Sequence, residues 1–158
     1  MKKIAIFSLF LLIISSCMPK LDKETLVKCK VYNKIEQIAV DMDPNKNKHI
    51  DRDEYIDYLV MRFHKSDMDK NNVHDYNEFM EMFTSNYIKN GEKLQAGCEG
   101  IMKKVNKKGD FSFKVIDEDD SGEIEMNEFV EQHKKIFKWV DYNNNDLLEP
   151  KELITFML

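Results

Sequence analysis

Beyond residue 17 the chain has no apolar run that could cross a bilayer, which takes about 20 consecutive apolar residues. It also lacks a nucleophile elbow, an HExxH helix and a phosphate-cradling loop, so none of the common catalytic arrangements has a home in it and the expectation is a non-enzyme. Basic charge is in deficit, with 24 Lys and Arg against 29 Asp and Glu for a net charge of −5. That sign argues against nucleic acid as a partner. Only five glycines and three cysteines occur in 158 residues, and where they fall matters below.

What the chain does have is acid in a repeated phase. Four segments, 43–54, 67–78, 117–128 and 141–152, carry side-chain oxygens at the first, third, fifth and twelfth places of a twelve-residue stretch. The sets are Asp43/Asn45/Asn47/Glu54, Asp67/Asp69/Asn71/Glu78, Asp117/Asp119/Ser121/Glu128 and Asp141/Asn143/Asn145/Glu152. This is the spacing that a calcium ion needs, because calcium takes six to eight hard oxygens at about 2.3–2.6 Å in a loose shell. The seventh places, His49, Val73, Glu123 and Leu147, would offer backbone carbonyls, the ninth a water-mediated contact, and the final Glu both carboxylate oxygens. A polar turn ahead of an acidic helical turn explains any one segment. It does not explain four in the same phase.

These loops resemble EF-hands, and the resemblance covers about residues 35–157. It implies an all-α fold of helix-loop-helix repeats, short β pairing between loops, and up to four bound Ca2+ ions. Magnesium suits the loops less well, since it demands octahedral geometry and keeps its waters.

The N-terminus carries a second signal. Met1-Lys2-Lys3 followed by apolar Ile4–Ile14 has the charged start and short greasy middle of an export signal. Ile14-Ser15-Ser16-Cys17 resembles the lipobox of bacterial lipoproteins, which are cut before a cysteine that receives diacylglycerol. An ordinary cleaved signal is the alternative. The expected division is residues 1–16 as signal, 17–24 as lipidated Cys17 with a short tether, and 25–158 as the loop-bearing domain. Met18, rather than Asp, after Cys17 is similar to lipoproteins sorted to the outer membrane. The expected location is thus the bacterial cell envelope, with the outer membrane, facing the periplasm or surface, ahead of the inner one. Seven tether residues reach at most about 25 Å, which keeps the domain close to the bilayer.

Without Lys2 and Lys3 the balance is 22 basic to 29 acidic residues, a net charge of −7 that calcium would neutralise. If Cys17 carries lipid, Cys29 and Cys98 remain. An exported compartment lets them join, two buried thiols being the other outcome. A disulfide there would contribute about 2–4 kcal/mol.

Spacing is the unusual feature of the repeats. Loop starts at 43 and 67, and at 117 and 141, leave only twelve residues between paired loops, room for one helix of about three turns. Tyr55–Ser66 is therefore expected to leave loop 1 and enter loop 2, and Phe129–Val140 to do the same for loops 3 and 4. Such a rod holds its loops about 20 Å apart, so each loop must find its β partner in the other half of the chain. Helices are expected around Phe79–Asn90 and Glu92–Val105, with Gly109 and Asp110 ending the second and starting a short one into loop 3. This compact spacing resembles the short tandem EF-hand proteins of bacteria rather than calmodulin.

Position 6 of such a loop turns sharply at positive φ and favours Gly, which only loop 3 has, at Gly122. Loop 2 has Asn72, loop 4 Asp146 and loop 1 Lys48, the last at a cost of about 1 kcal/mol. Carboxylate counts of two, three, three and two rank loop 3 first and loop 1 last. Met42, Met61 and Met82 read as core, Trp139 as packed, and the lysines around 103–108 and 134–138 as solvated helix faces. Three roles for the ion stay open: buffer, sensor opening a groove at Met80, Met82 and Phe83 for an unidentified protein partner, or staple of a surface module. The rival is a calcium-stabilised enzyme or enzyme inhibitor with its active surface in residues 84–108.

Overall fold

The computed structural model describes residues 23–29, 31–88 and 97–157. In order these form α1 (Lys23–Lys28), α2 (Val31–Asp41), β1 (Ile50–Asp51), α3 (Arg52–Ser66), β2 (Val73–His74), α4 (Tyr76–Thr84), α5 (Glu99–Ile116), β3 (Ile124–Glu125), α6 (Met126–Val140), β4 (Leu147–Leu148) and α7 (Pro150–Met157). The described fold is mostly helical, its strands only two residues each. Cys17 and residues 89–96 of the rival active surface lie outside the described residues.

The two expected shared helices are present, each a single 15-residue rod. The start of α3 is fixed by a reciprocal cap, in which the Glu54 N–H donates to the Asp51 carboxylate at 2.9 Å and the Asp51 N–H donates back to Glu54 at 3.0 Å. The rods lie antiparallel in contact: Tyr55 near the start of α3 meets Phe137 near the end of α6 at 5.4 Å between ring centroids. Phe63, near the end of α3, meets Phe129 near the start of α6 at 5.1 Å. Because the rods are antiparallel, the loop before α3 lies beside the loop after α6, and likewise at the other end.

Strand pairing follows from that placement. β1 pairs antiparallel with β4, Ile50 opposite Leu148, and β2 with β3, His74 opposite Ile124. Loop 1 thus joins loop 4 and loop 2 joins loop 3, the cross-half pairing expected from the short spacing. Each pair roofs its own core. One holds Ile38, Met42, Ile50, Phe137 and Leu148, with α2 packed on α7. The other holds Phe63, Phe79, Phe113, Ile124 and Phe129, with α4 packed on α5. A third cluster, Val31, Ile35, Tyr87, Ile101 and Val105, surrounds a disulfide between Cys29 and Cys98, 69 residues apart, which ties the start of α2 to the start of α5.

Three expectations need correction. α5 runs unbroken through Gly109 to Ile116. Gly109 permits a close approach rather than a break, since a Cβ there would lie 2.6 Å from the Met80 sulfur and 3.1 Å from Phe83. α4 stops at Thr84, well short of Asn90, because the Thr84 and Ser85 hydroxyls bond back to Met80 and Met82 carbonyls, both at 2.7 Å. Arg62 on α3 completes that end, donating to the Met82 carbonyl at 2.9 Å and the Ser85 hydroxyl at 2.6 Å. Finally, Met61 and Trp139 are half exposed, each two residues from a buried Phe and so on the opposite side of its helix; only Met42 and Met82 of the three methionines are core. Trp139 instead meets Phe156 edge-on at 5.6 Å.

The Gly109 contact gives a graded expectation. Gly109→Ala should be near neutral, because displacing the flexible Met80 tip offsets the roughly 1 kcal/mol that Ala gains in a helix. Gly109→Val should destabilise by about 1–3 kcal/mol through overpacking against Phe83. Urea midpoints of the two variants against the parent check this.

Candidate metal-binding loops

All four loops fold on one hydrogen-bonding plan. The first Asp accepts through one oxygen from the fifth residue's N–H, Asn47 to Asp43 at 3.1 Å, Asn71 to Asp67 at 3.2 Å, Ser121 to Asp117 at 2.9 Å and Asn145 to Asp141 at 3.1 Å. Its other oxygen accepts from the sixth residue, Lys48, Asn72, Gly122 and Asp146, at 2.8, 3.0, 3.0 and 2.9 Å. The third-place oxygen of Asn45, Asp69, Asp119 and Asn143 accepts from the same fifth-place N–H. Asn47, Asn71, Ser121 and Asn145 in turn accept from the seventh-place N–H of His49, Val73, Glu123 and Leu147. The curl is thus held by backbone N–H groups that donate to these same side-chain oxygens.

The final Glu is held the same way in each loop, one oxygen accepting from the ninth-place N–H at 3.0, 3.2, 3.0 and 2.9 Å along the chain. The second oxygen distinguishes the loops. In loops 2 and 3 it accepts from the second-place N–H, Met68 to Glu78 at 2.7 Å and Glu118 to Glu128 at 2.9 Å. In loop 1 the Asn45 side-chain amide donates to Glu54. In loop 4 the second oxygen of Glu152 is buried with no hydrogen-bond partner. That residue is only 1% exposed.

Burial adds to the electrostatic demand. Asp67, Glu78, Asp117, Asp141 and Glu152 are all buried, although an isolated ionised carboxylate away from water is strongly disfavoured unless a cation meets it. Asp67, Asp69 and Glu78 bring oxygens within 4.8 Å of one another, as do Asp117, Asp119 and Glu128. Loops 1 and 4 offer two carboxylates and two amides each. Arg52 at the end of loop 1 reaches across to Asp146 of loop 4 at 2.8 Å and lies over the Phe137 ring at 5.7 Å, tying those loops together.

Two features were not anticipated. The left-handed backbone recurs at the fourth place as well as the sixth: Lys46, Lys70, Asp120 and Asn144 have φ of 59°, 61°, 59° and 55°. Lys48 does adopt φ 69° at the sixth place. The ninth-place Asp51 and Asp75 cap their helices, accepting from Glu54 and Glu78 at 2.9 and 2.8 Å; the D-x-x-E spacing would have shown this. His74 fills the place that an aliphatic residue takes in the other loops. It is fully buried and stacks on Phe63 at 3.7 Å, with Nε2 2.9 Å from the Phe63 carbonyl and 3.1 Å from the Ser66 hydroxyl. Burial pushes its pKa below the ordinary imidazole value, so the ring serves as neutral core.

No family model matches the chain, and no curated protein does. Among the described residues no helix is long and apolar enough to cross a membrane.

Proposed function

We propose that this chain is a calcium-binding protein of EF-hand type whose four loops use the ion as a structural staple, and that Cys17 anchors it by lipid in a bacterial envelope. The observation that carries the metal reading is the buried, partnerless second oxygen of Glu152, in a loop whose other side-chain donors, Asp141, Asn143 and Asn145, are oxygens as well. A hard cation of calcium's radius is the ligand that such an all-oxygen set suits, and it supplies the positive charge that the buried carboxylates need.

The residues divide the work as follows. Asp43, Asp67, Asp117 and Asp141 set the loop's curl, their carboxylates accepting from the fifth- and sixth-place N–H groups, and present the first carboxylate. The closing Glu of each loop stands on the first turn of the following helix, so its grip on the ion fixes that helix. The closing Glu must give up a hydrogen bond in loops 1, 2 and 3 alike, and loop 1, with only two carboxylates and Lys48 at its sixth place, is the weakest of them. The staple reading rests on the buried loop carboxylates; Met82 is buried and Met80 and Phe83 pack against Gly109 and Phe79, a closed arrangement that a sensor would have to open.

Isothermal titration of the oxidised full chain with calcium should reach four ions per chain, with the last to bind assigned to loop 1. Heats no larger than dilution, or one ion per chain, would rule the reading out.

A further inference from the structure

The loops are linked in a way that sequence order hides. Each shared rod bears a ligand at both ends: α3 has Glu54 in its first turn and Asp67 as its C-cap, and α6 has Glu128 and Asp141. The last turns run unbroken into those caps, with Asp67 N–H donating to Phe63 at 3.0 Å and Asp141 N–H to Phe137 at 2.9 Å. The β ladders join loop 1 to loop 4 and loop 2 to loop 3. Building on the calcium reading above, we propose that the four sites load as a closed ring, 1 to 4 by ladder, 4 to 3 by α6, 3 to 2 by ladder and 2 to 1 by α3, so that every site has two coupled neighbours and one opposite.

Rod geometry makes the coupling strong. A 15-residue helix is about 22 Å long. A tilt of only about 5° around its middle moves each end by about 1 Å. The range of calcium–oxygen distances is about 0.3 Å wide, so a rod reoriented to suit Glu54 in loop 1 also resets Asp67 in loop 2. The rods cannot relax separately, because Phe63 packs on Phe129 and Tyr55 on Phe137. The Arg52 bridge to Asp146 reinforces the ladder between loops 1 and 4. Loops coupled only to their sequence neighbours would form an open line with loops 1 and 4 at its ends. The ring makes those two adjacent.

Each loop contains its own reporter, the sixth-place N–H bonded to the first Asp: Lys48, Asn72, Gly122 and Asp146. The experiment follows these four amides by 15N–1H NMR as calcium is added to the oxidised full chain, the parent against Glu152→Gln. In the ring, the variant raises the calcium midpoint at Lys48 and Gly122 by about fivefold or more, and at the opposite Asn72 by less than about twofold. A midpoint shift at only one of Lys48 and Gly122 overturns the proposal: Gly122 alone means an open line, and Lys48 alone means ladder-paired loops with no coupling along α6. A change confined to Asp146 overturns it too, while leaving calcium binding intact. If no reporter of the parent responds to calcium, the calcium reading itself fails. Should Glu152→Gln lose its dispersed spectrum, Glu54→Gln carries the same test from the other side of that ladder: in the ring Asp146 and Asn72 move and Gly122 stays, whereas an unmoved Asp146 means an open line.

Discussion

Chelating calcium from the oxidised chain is expected to lower its melting temperature by at least about 20 °C, or to abolish most of its helical circular dichroism. A site held at a hundredfold excess over its dissociation constant stabilises the folded state by about 2.7 kcal/mol. Four such sites supply about 11 kcal/mol, comparable with the whole stability of an ordinary domain of about 5–15 kcal/mol. The structure gives a reason for so large a dependence. Five of the loop carboxylates are buried, and Glu152 keeps one oxygen with no partner at all. Without a cation their mutual repulsion and lost hydration act against the closed loops, and the loops are where α2, α3, α6 and α7 meet. Far-ultraviolet circular dichroism during calcium addition to chelated protein is the measurement. A calcium-free chain that is fully helical and melts within a few degrees of the loaded form would end the staple reading and return the buffer and sensor roles.

The second large effect lies in the contact between the two rods. Phe63→Ala is expected to cost about 3–5 kcal/mol, seen as a lower urea midpoint at unchanged slope. Phe63 has no exposed surface, stacks on His74 at 3.7 Å and meets Phe129 at 5.1 Å. Removing its ring leaves a cavity where the rods cross and takes the apolar cover from a buried imidazole. A loss of under about 1 kcal/mol would mean that the rods are not held by this contact.

How much of this could be read from the residues differs by feature. The four oxygen sets, the shared helices and the cross-half pairing of loops all follow from spacing, because a twelve-residue gap admits one helix and one helix cannot fold back on itself. The breaks were not legible. Gly109 has the look of a helix stop, yet its missing side chain is filled by Met80 from another helix. Trp139 and Met61 have the look of core residues, but phase on the helix outweighs hydrophobicity and turns them outward. Positive φ at Lys46 and Lys70 had no residue-type signal, since the hydrogen bonds to Asp43, Asn45, Asp67 and Asp69 overcome the local preference.

The sequence by itself determined the four oxygen sets, because the curl of one short loop is local: oxygens at fixed places along twelve residues face one another wherever the loop sits. With Cys17 set aside as the proposed lipid anchor, it also left Cys29 and Cys98 as one pair. Only the tertiary structure decided which site adjoins which, which carboxylates lose their water, and that Glu152 keeps an oxygen free. Those depend on two antiparallel rods packing through Phe63, Phe129, Tyr55 and Phe137, an association between residues more than sixty apart in the chain that no local pattern encodes.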